Sequence, residues 1–341
     1  MLLMVTNRRP TTRGYGDEEQ SGFRYHYLHN YLDGERGSDG FGDGGGAEKD
    51  KKAFSAVLLA ELQRLKDVAG IGTPKVGLYI HGYNNDWQDS IDELVDMHAA
   101  LSRAIGYDPV LVGFSWPSSG RTGRYLSDRE EVRDSVPAFV RFLGDIHEFL
   151  LETEPRCFAT SYCIAHSMGN YLLRKGTEYL SDHLGTPVGR AMFNETVMLA
   201  PDIAAKDVER DGKGQYIADF SRRVHVYYSK HDRALKASSA KGFGGNRLGR
   251  HGPEDFTNLP ANVVAIDAEK YANSDAVDAA GVKDRKGETP SVHSSHRYQP
   301  PIIADIAQVI SSVDRSLIPN RREVAQLSDL PSLRPNHYGL T

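Results

Sequence analysis

Cysteine is scarce in this chain. Only Cys157 and Cys163 occur in 341 residues. Both fall in one expected strand, where six residues of extended chain separate them by about 20 Å, too far for a bridge. The expectation is two small buried hydrophobes rather than a disulfide or a metal site. Long apolar runs are also missing. No stretch approaches the ~20 residues that a membrane span needs. The opening MLLMVTNRRP has too short an apolar segment for a signal core, and its basic residues follow that segment. The expected location is therefore the cytoplasm. Charge of one sign is lacking too. The net charge is −5, and the basic pairs Arg222-Arg223 and Arg321-Arg322 are too short for a phosphate track. Nucleic acid is not an expected partner. Gly242-Phe243-Gly244-Gly245 does not lead from a strand into a helix, so no dinucleotide cofactor is expected.

What is present is an alternation of strand-like and helix-like segments from about residue 53 to 314. Apolar residues at Phe54, Val57, Leu58, Leu62 and Leu65 give a helix with one buried face over 53–68. Short apolar runs at 76–80, 110–114, 195–200, 224–228 and 263–266 read as buried strands, with helices at 87–105, 129–151 and 301–314 between or after them. Pro137 is expected to kink or restart the 129–151 helix. The pattern predicts an α/β fold, a mostly parallel sheet with helices on both faces. Residues 1–315 are read as a single domain. Within it, 33–52 is a glycine-rich mobile loop, and 236–260 and 267–295 are loop insertions near the site. A polar tail, 316–341, is expected to be loosely held.

In such a sheet the ligand site lies at the carboxyl ends of the strands. The polar clusters fall there: His81-Gly82-Tyr83-Asn84-Asn85, Ser115-Trp116-Pro117-Ser118, Pro201-Asp202 and Ser229-Lys230-His231-Asp232. The organising stretch is 157–173, an apolar run, then Ala165-His166-Ser167-Met168-Gly169, then a helical pattern. It resembles the nucleophile elbow of α/β-hydrolases, with alanine in place of the first glycine of G-x-S-x-G. Small residues are needed there because strand and helix pass close beside the serine. An elbow serine needs a base and an acid, which in this fold follow in the order serine, acid, histidine. Downstream lie Asp202 and Asp232 as acids, and His293 and His296 as bases. Asp202 could instead cap a helix beginning near Ile203. No carboxylate or cysteine cluster accompanies the two histidines, so a metal is not expected.

Taken together, Thr6-Asn7-Arg8, the 81–85 loop, Phe114-Ser115-Trp116-Pro117-Ser118, Ala165–Asn170, Leu199-Ala200-Pro201-Asp202, 228–235 and His296-Arg297-Tyr298 resemble the DUF900-type α/β-hydrolases. The resemblance spans most of residues 1–315. It implies Ser167 as nucleophile, Asp232 as acid and His296 as base, chosen by the His-x-Tyr before the final helix. It also implies an oxyanion hole from the backbone N–H groups of Met168 and Tyr83. Ser115 and Trp116 are candidates for the substrate pocket, with packing beside the elbow as the other reading of Trp116. His166 is expected to be wedged beside the elbow. The implied reaction is hydrolysis of a small to medium ester through an acyl-enzyme, without a cofactor. Thioester cleavage, acyl transfer and a non-catalytic interaction module are the alternatives. Oligomeric state is not written in these residues.

Overall fold

The computed structural model describes residues 2–12, 14–27, 51–121, 123–152, 160–185, 191–240, 245–284, 286–324 and 335–341. The expected 33–52 loop, up to residue 50, and Cys157 lie outside them. The chain forms two compact units, Met1–Cys163 and Ile164–Thr341.

The first unit contains β1 (Leu2–Thr11), β2 (Gly14–Tyr27), α1 (Lys51–Asp67), β3 (Lys75–Ile80), α2 (Trp87–Ile105), β4 (Val110–Ser115) and α3 (Tyr125–Glu152). Its strands lie in the order β2-β1-β4-β3. The β1/β2 pair is antiparallel, and β1/β4 and β3/β4 are parallel. The β4 run VLVGFS is buried at every position, as a strand covered on both faces must be. A Cβ at Gly113 would stand 2.8 Å from both Leu94 Cδ2 on α2 and Met4 Sδ on β1, so these side-chain ends would have to shift to admit one. Residues 6–10 continue β1 through register shifts at Thr6/Arg8 and Arg8/Pro10, because irregularities absorb Pro10 without ending the pairing. One expectation changes. Pro137 sits inside one uninterrupted helix, α3. The lost bond costs about 3 kcal/mol. It is offset by burial of Val136, Phe139, Phe142 and Leu143, each contributing roughly 1.5–3 kcal/mol.

The boundary between units falls within β5 (Thr160–His166). After it come α4 (Gly169–Leu184), β6 (Phe193–Leu199), α5 (Gln215–Asp219), β7 (Ser221–Tyr228), α6 (Arg233–Ala240), α7 (Leu248–His251), β8 (Val263–Asp267), α8 (Ser274–Ala280), α9 (Val292–Ser295), α10 (Pro300–Ile310), β9 (Arg321–Glu323) and β10 (His337–Leu340). The order is β5-β6-β7-β8-β10-β9. The β6/β7, β7/β8 and β8/β10 pairs are parallel, and β9/β10 is antiparallel. The fold is thus α/β with a mostly parallel mixed sheet. The carboxyl ends of β5, β6 and β7 lead into Ser167, Ala200-Pro201-Asp202 and Ser229–Asp232.

The segments expected to be loops, 236–260 and 267–295, carry α6 to α9 in part or whole. Within the expected loose tail, Arg321–Glu323 and His337–Leu340 form β9 and β10. Tyr338 and Leu340 are buried. Arg321 anchors the segment with a two-nitrogen grip on buried Asp305 of α10, at 2.7 Å (Nε–Oδ2) and 2.6 Å (Nη2–Oδ1). Strands of three and four residues carry too few side chains for a readable period, which is why their polarity suggested a tail.

Candidate active site

The elbow is built by local sequence. Ser167 adopts φ of +51°, a left-handed conformation that strains a residue with a Cβ and is found where surrounding structure enforces it. The enforcement is visible. The Ser167 amide donates to the Leu199 carbonyl at 2.9 Å, and its carbonyl accepts from the amides of Asn170 and Asp202, each at 3.1 Å. The Asn170 side-chain amide donates to the carbonyls of Ala165 (2.9 Å), Ser167 (3.2 Å) and Leu199 (3.4 Å), tying strand end, turn and neighbouring strand together. Met168 is the cap of α4, so its amide lies at the positive end of the helix dipole.

Asp232 is carried by the β7 end. Ser229 Oγ donates to the Ala272 carbonyl at 2.6 Å, and the Asp232 amide donates to the Ser229 carbonyl at 3.1 Å. Asp232 is fully buried at the start of α6, where one carboxylate oxygen accepts from the Leu235 amide at 2.9 Å. Its other oxygen faces His293 Nδ1 at 2.6 Å. His293 Nε2 in turn lies 2.7 Å from Ser167 Oγ. A carboxylate can only accept, so Nδ1 carries the proton and Nε2 is left to accept the serine hydroxyl. Ser167, His293 and Asp232 form one continuous relay, all within the second unit.

The histidine in this relay is His293, not His296, and this corrects the expectation drawn from the His-x-Tyr motif. His296 follows the one-turn helix α9 as its C-cap. It is fully buried, and neither ring nitrogen has a hydrogen-bond partner. Burial pushes its imidazole down to about 4, against the attraction of Asp232, so it is neutral. His293 behaves oppositely. Burial works to lower it, but the Asp232 charge and hydrogen bond, with a further contribution from Asp202, raise it above the ordinary imidazole value. Asp232 is desolvated, which alone would raise it. The His293 charge and bond and the Leu235 amide bring it below the usual carboxylate range.

Asp202 takes a different place. Its carboxylate accepts from Ser238 Oγ at 2.8 Å and lies 3.3 Å from Arg247 Nε. The close passage of α7 beside the β6 end depends on Gly249, where a Cβ would stand 2.3 Å from the Ala200 carbonyl carbon.

In the first unit, the residues proposed for oxyanion hole and pocket have engaged side chains. Trp116 is fully buried and stacks on His81 at 5.1 Å between centroids and 4° between planes. Its amide donates to His81 Nε2 at 3.1 Å, and its indole N–H donates to the His81 carbonyl at 3.0 Å. Ser115 is also fully buried. Its hydroxyl accepts from Arg8 Nε at 2.9 Å and lies 2.8 Å from Ser90 Oγ. These partners make both residues packing elements of the β3 and β4 ends rather than open pocket walls. Tyr83 is half-buried, with its hydroxyl donating to the Arg121 carbonyl at 3.2 Å.

Arg8 is a residue whose role the sequence reading left unassigned. Wholly buried, it also donates to the carbonyls of Asn85 (2.8 Å), Ser118 (3.1 Å) and Gly16 (3.2 Å). Burial lowers its guanidinium to about 10, against Asp17 and Asp86. The Thr-Asn-Arg string was the available signal, but nothing in it names partners more than seventy positions away. Asn170 was visible only as the residue after the elbow glycine.

Among the described residues, no group of three or more His, Cys, Asp or Glu side chains is gathered as a metal site requires, and no helix is long and apolar enough to cross a membrane. Cys163 is a free, buried thiol that burial pushes above its ordinary value.

A left-handed serine between strand and helix, with an acid and a histidine arriving later in the chain, is the arrangement of an α/β-hydrolase. The family profile "Alpha/beta hydrolase of unknown function (DUF900)" matches residues 61–288, and the chain belongs to that family. It is 31% identical over 174 residues to the uncharacterized protein alr1448 of Nostoc sp., and the alignment covers 43% of each. The chain therefore spans less than half the length of that relative. Among solved structures it is similar to phospholipase PlaB from Legionella pneumophila, with 20% identity and a TM-score of 0.27, over 38% of this chain and 25% of that one. It is also similar to Aspergillus fumigatus lipase B, with 13% identity and a TM-score of 0.34, over 71% of this chain and 53% of that one. At these scores neither likeness informs the chemistry.

Proposed function

We propose that the protein is a serine hydrolase of carboxylic esters with small to medium acyl or aryl groups. The observation that carries this is the unbroken relay from Ser167 Oγ through His293 to Asp232, at 2.7 Å and 2.6 Å. Ser167 Oγ attacks the ester carbonyl as His293 Nε2 takes its proton. The resulting imidazolium is stabilised by Asp232, which also keeps Nδ1 protonated in the resting state. The oxyanion is received by the Met168 amide at the start of α4. Collapse of the tetrahedral intermediate returns the proton from His293 to the departing alcohol and leaves an acyl-serine. Water, deprotonated by the same nitrogen, then releases the acid.

An ester is the favoured substrate because an alcohol needs less help in leaving than an amine. No long apolar insertion of the kind that covers an interfacial lipase site occurs in the sequence, and the 236–260 and 267–295 segments are polar. That composition supports a short, moderately polar substrate. The test is a panel of aryl and alkyl esters of increasing acyl length, run beside Ser167→Ala and with a labelled fluorophosphonate. Short-chain turnover and covalent labelling, both abolished in Ser167→Ala, are expected. Failure of the wild-type protein to label or turn over any ester overturns the reading, and faster hydrolysis of long-chain triglycerides overturns the size assignment.

A further inference from the structure

His293 is held by an element that has little to hold itself. Helix α9 is four residues long, too short to persist on propensity alone. Its local bonds are the Ser295 amide to the Ser291 carbonyl, at 2.8 Å, the Ser291 hydroxyl on the amide and the hydroxyl of Ser294, each at 3.2 Å, and Ser295 Oγ to the Val292 carbonyl, at 2.7 Å. The amides that follow pass over the His293 carbonyl. Arg297 donates to Ser294, and Tyr298 and Gln299 donate to Ser295. The His293 carbonyl instead meets a side chain from the elbow: His166 Nε2, at 3.2 Å.

A carbonyl only accepts, so His166 Nε2 must bear the proton. Its Nδ1 is then bare, and it has no partner. The ring is almost wholly buried, and its centroid lies 5.0 Å from that of His293, with the planes at 43°. Two consecutive residues thus grip opposite ends of one histidine, Ser167 the imidazole and His166 the main chain. We infer that His166 is a positioning residue, which sets where the His293 imidazole stands relative to Ser167 by fixing the His293 carbonyl. The inference rests on reading Ser167, His293 and Asp232 as the catalytic relay. Proton transfer tolerates little error, since a shift near 1 Å costs on the order of 100-fold. Loss of one buried hydrogen bond that sets the placement is expected to lower turnover about tenfold.

The test compares His166→Phe, which keeps a ring and removes the donor, with His166→Gln, whose amide nitrogen reaches a similar place, and His166→Asn, whose nitrogen falls short. Two quantities are read: kcat and KM on a short aryl ester, and the downfield proton resonance of the His293 Nδ1–H on Asp232. In His166→Phe and His166→Asn, kcat is expected to fall about tenfold with KM nearly unchanged, and the resonance to broaden. In His166→Gln both are expected to recover to near wild type. A folded His166→Phe with wild-type kcat and resonance overturns the inference. So does His166→Gln behaving no better than His166→Asn, a comparison that stands even if the phenylalanine variant does not fold. A wild-type protein that hydrolyses no ester would instead refute the hydrolase reading. The resonance would still show whether His166 holds His293.

Discussion

Replacing each of the two histidines near Asp232 separates the proposed base, His293, from a buried neighbour three residues away. In His293→Ala the serine loses its only bonded base, and turnover is expected to fall by 10⁴-fold or more, on the order seen when a triad histidine is removed. His296→Leu should do the reverse. The wild-type ring forms no hydrogen bond, and each buried unsatisfied nitrogen costs about 1–3 kcal/mol. An apolar side chain of similar volume removes that cost and leaves the relay bonds intact. Turnover within about threefold of wild type and equal or greater stability are expected. The pH dependence gives a second handle. The His296 imidazole has a folded value of about 4 against an unfolded value near 6.5, so between those limits the unfolded chain binds more protons. Wild-type stability therefore falls as pH drops from 6.5 towards 4, and at pH 5 this one group accounts for about 2 kcal/mol. Urea unfolding at pH 7.5 and pH 5 should show His296→Leu gaining on wild type by that amount at the lower pH. A natively folded His296→Leu without activity, or a His293→Ala that still turns over, would refute the assignment.

Three other outcomes follow from the same geometry. Ser167→Gly should exceed Ser167→Ala in stability by about 1 kcal/mol, because glycine adopts the +51° backbone without strain; thermal melts of the two inactive variants check this. The acid limb of kcat/KM should lie above pH 6.5, since His293 must be unprotonated and is raised by Asp232. In Asp232→Asn the limb should move down and kcat should drop by about 10⁴-fold, both read from a pH–rate profile. Arg8→Met should destabilise by about 3 kcal/mol or more, measured by urea titration, because it orphans the buried carbonyls of Asn85 and Ser118.

Much of this site can be read without coordinates, and the exceptions have physical causes. The elbow was legible because a strained turn between strand and helix admits few residue types, and Ala165 and Gly169 meet that demand. Asp202 and Asp232 both follow buried strands, and only the family resemblance favoured Asp232. Position did not rank His293 and His296 either. They stand three apart across a single helical turn, where spacing alone puts both on nearly one face. The outcome depends on the turn's docking: the His293 carbonyl on His166, its ring on Asp232, and His296 turned into the interior. The helices within 236–260 and 267–295 escaped notice because short, polar, glycine-punctuated segments carry almost no periodicity. β10 escaped because its pairing partner, β8, lies more than seventy residues earlier.

That separation has a consequence for the protein as it is made. β10 covers one side of β8, with His337 aligned to Ala265 and Gly339 to Asp267. At ribosomal speeds of about 5–20 residues per second, the intervening stretch takes roughly 4–15 s to emerge. Throughout that interval the apolar run Val263-Val264-Ala265-Ile266 has an unclaimed row of backbone donors and acceptors, an open template for any other extended chain. The nascent protein therefore has Ser167, Asp232 and His293, the groups proposed to react, before β8 has its partner strand. Overproduction should be limited by how quickly that edge is sealed rather than by assembly of the site.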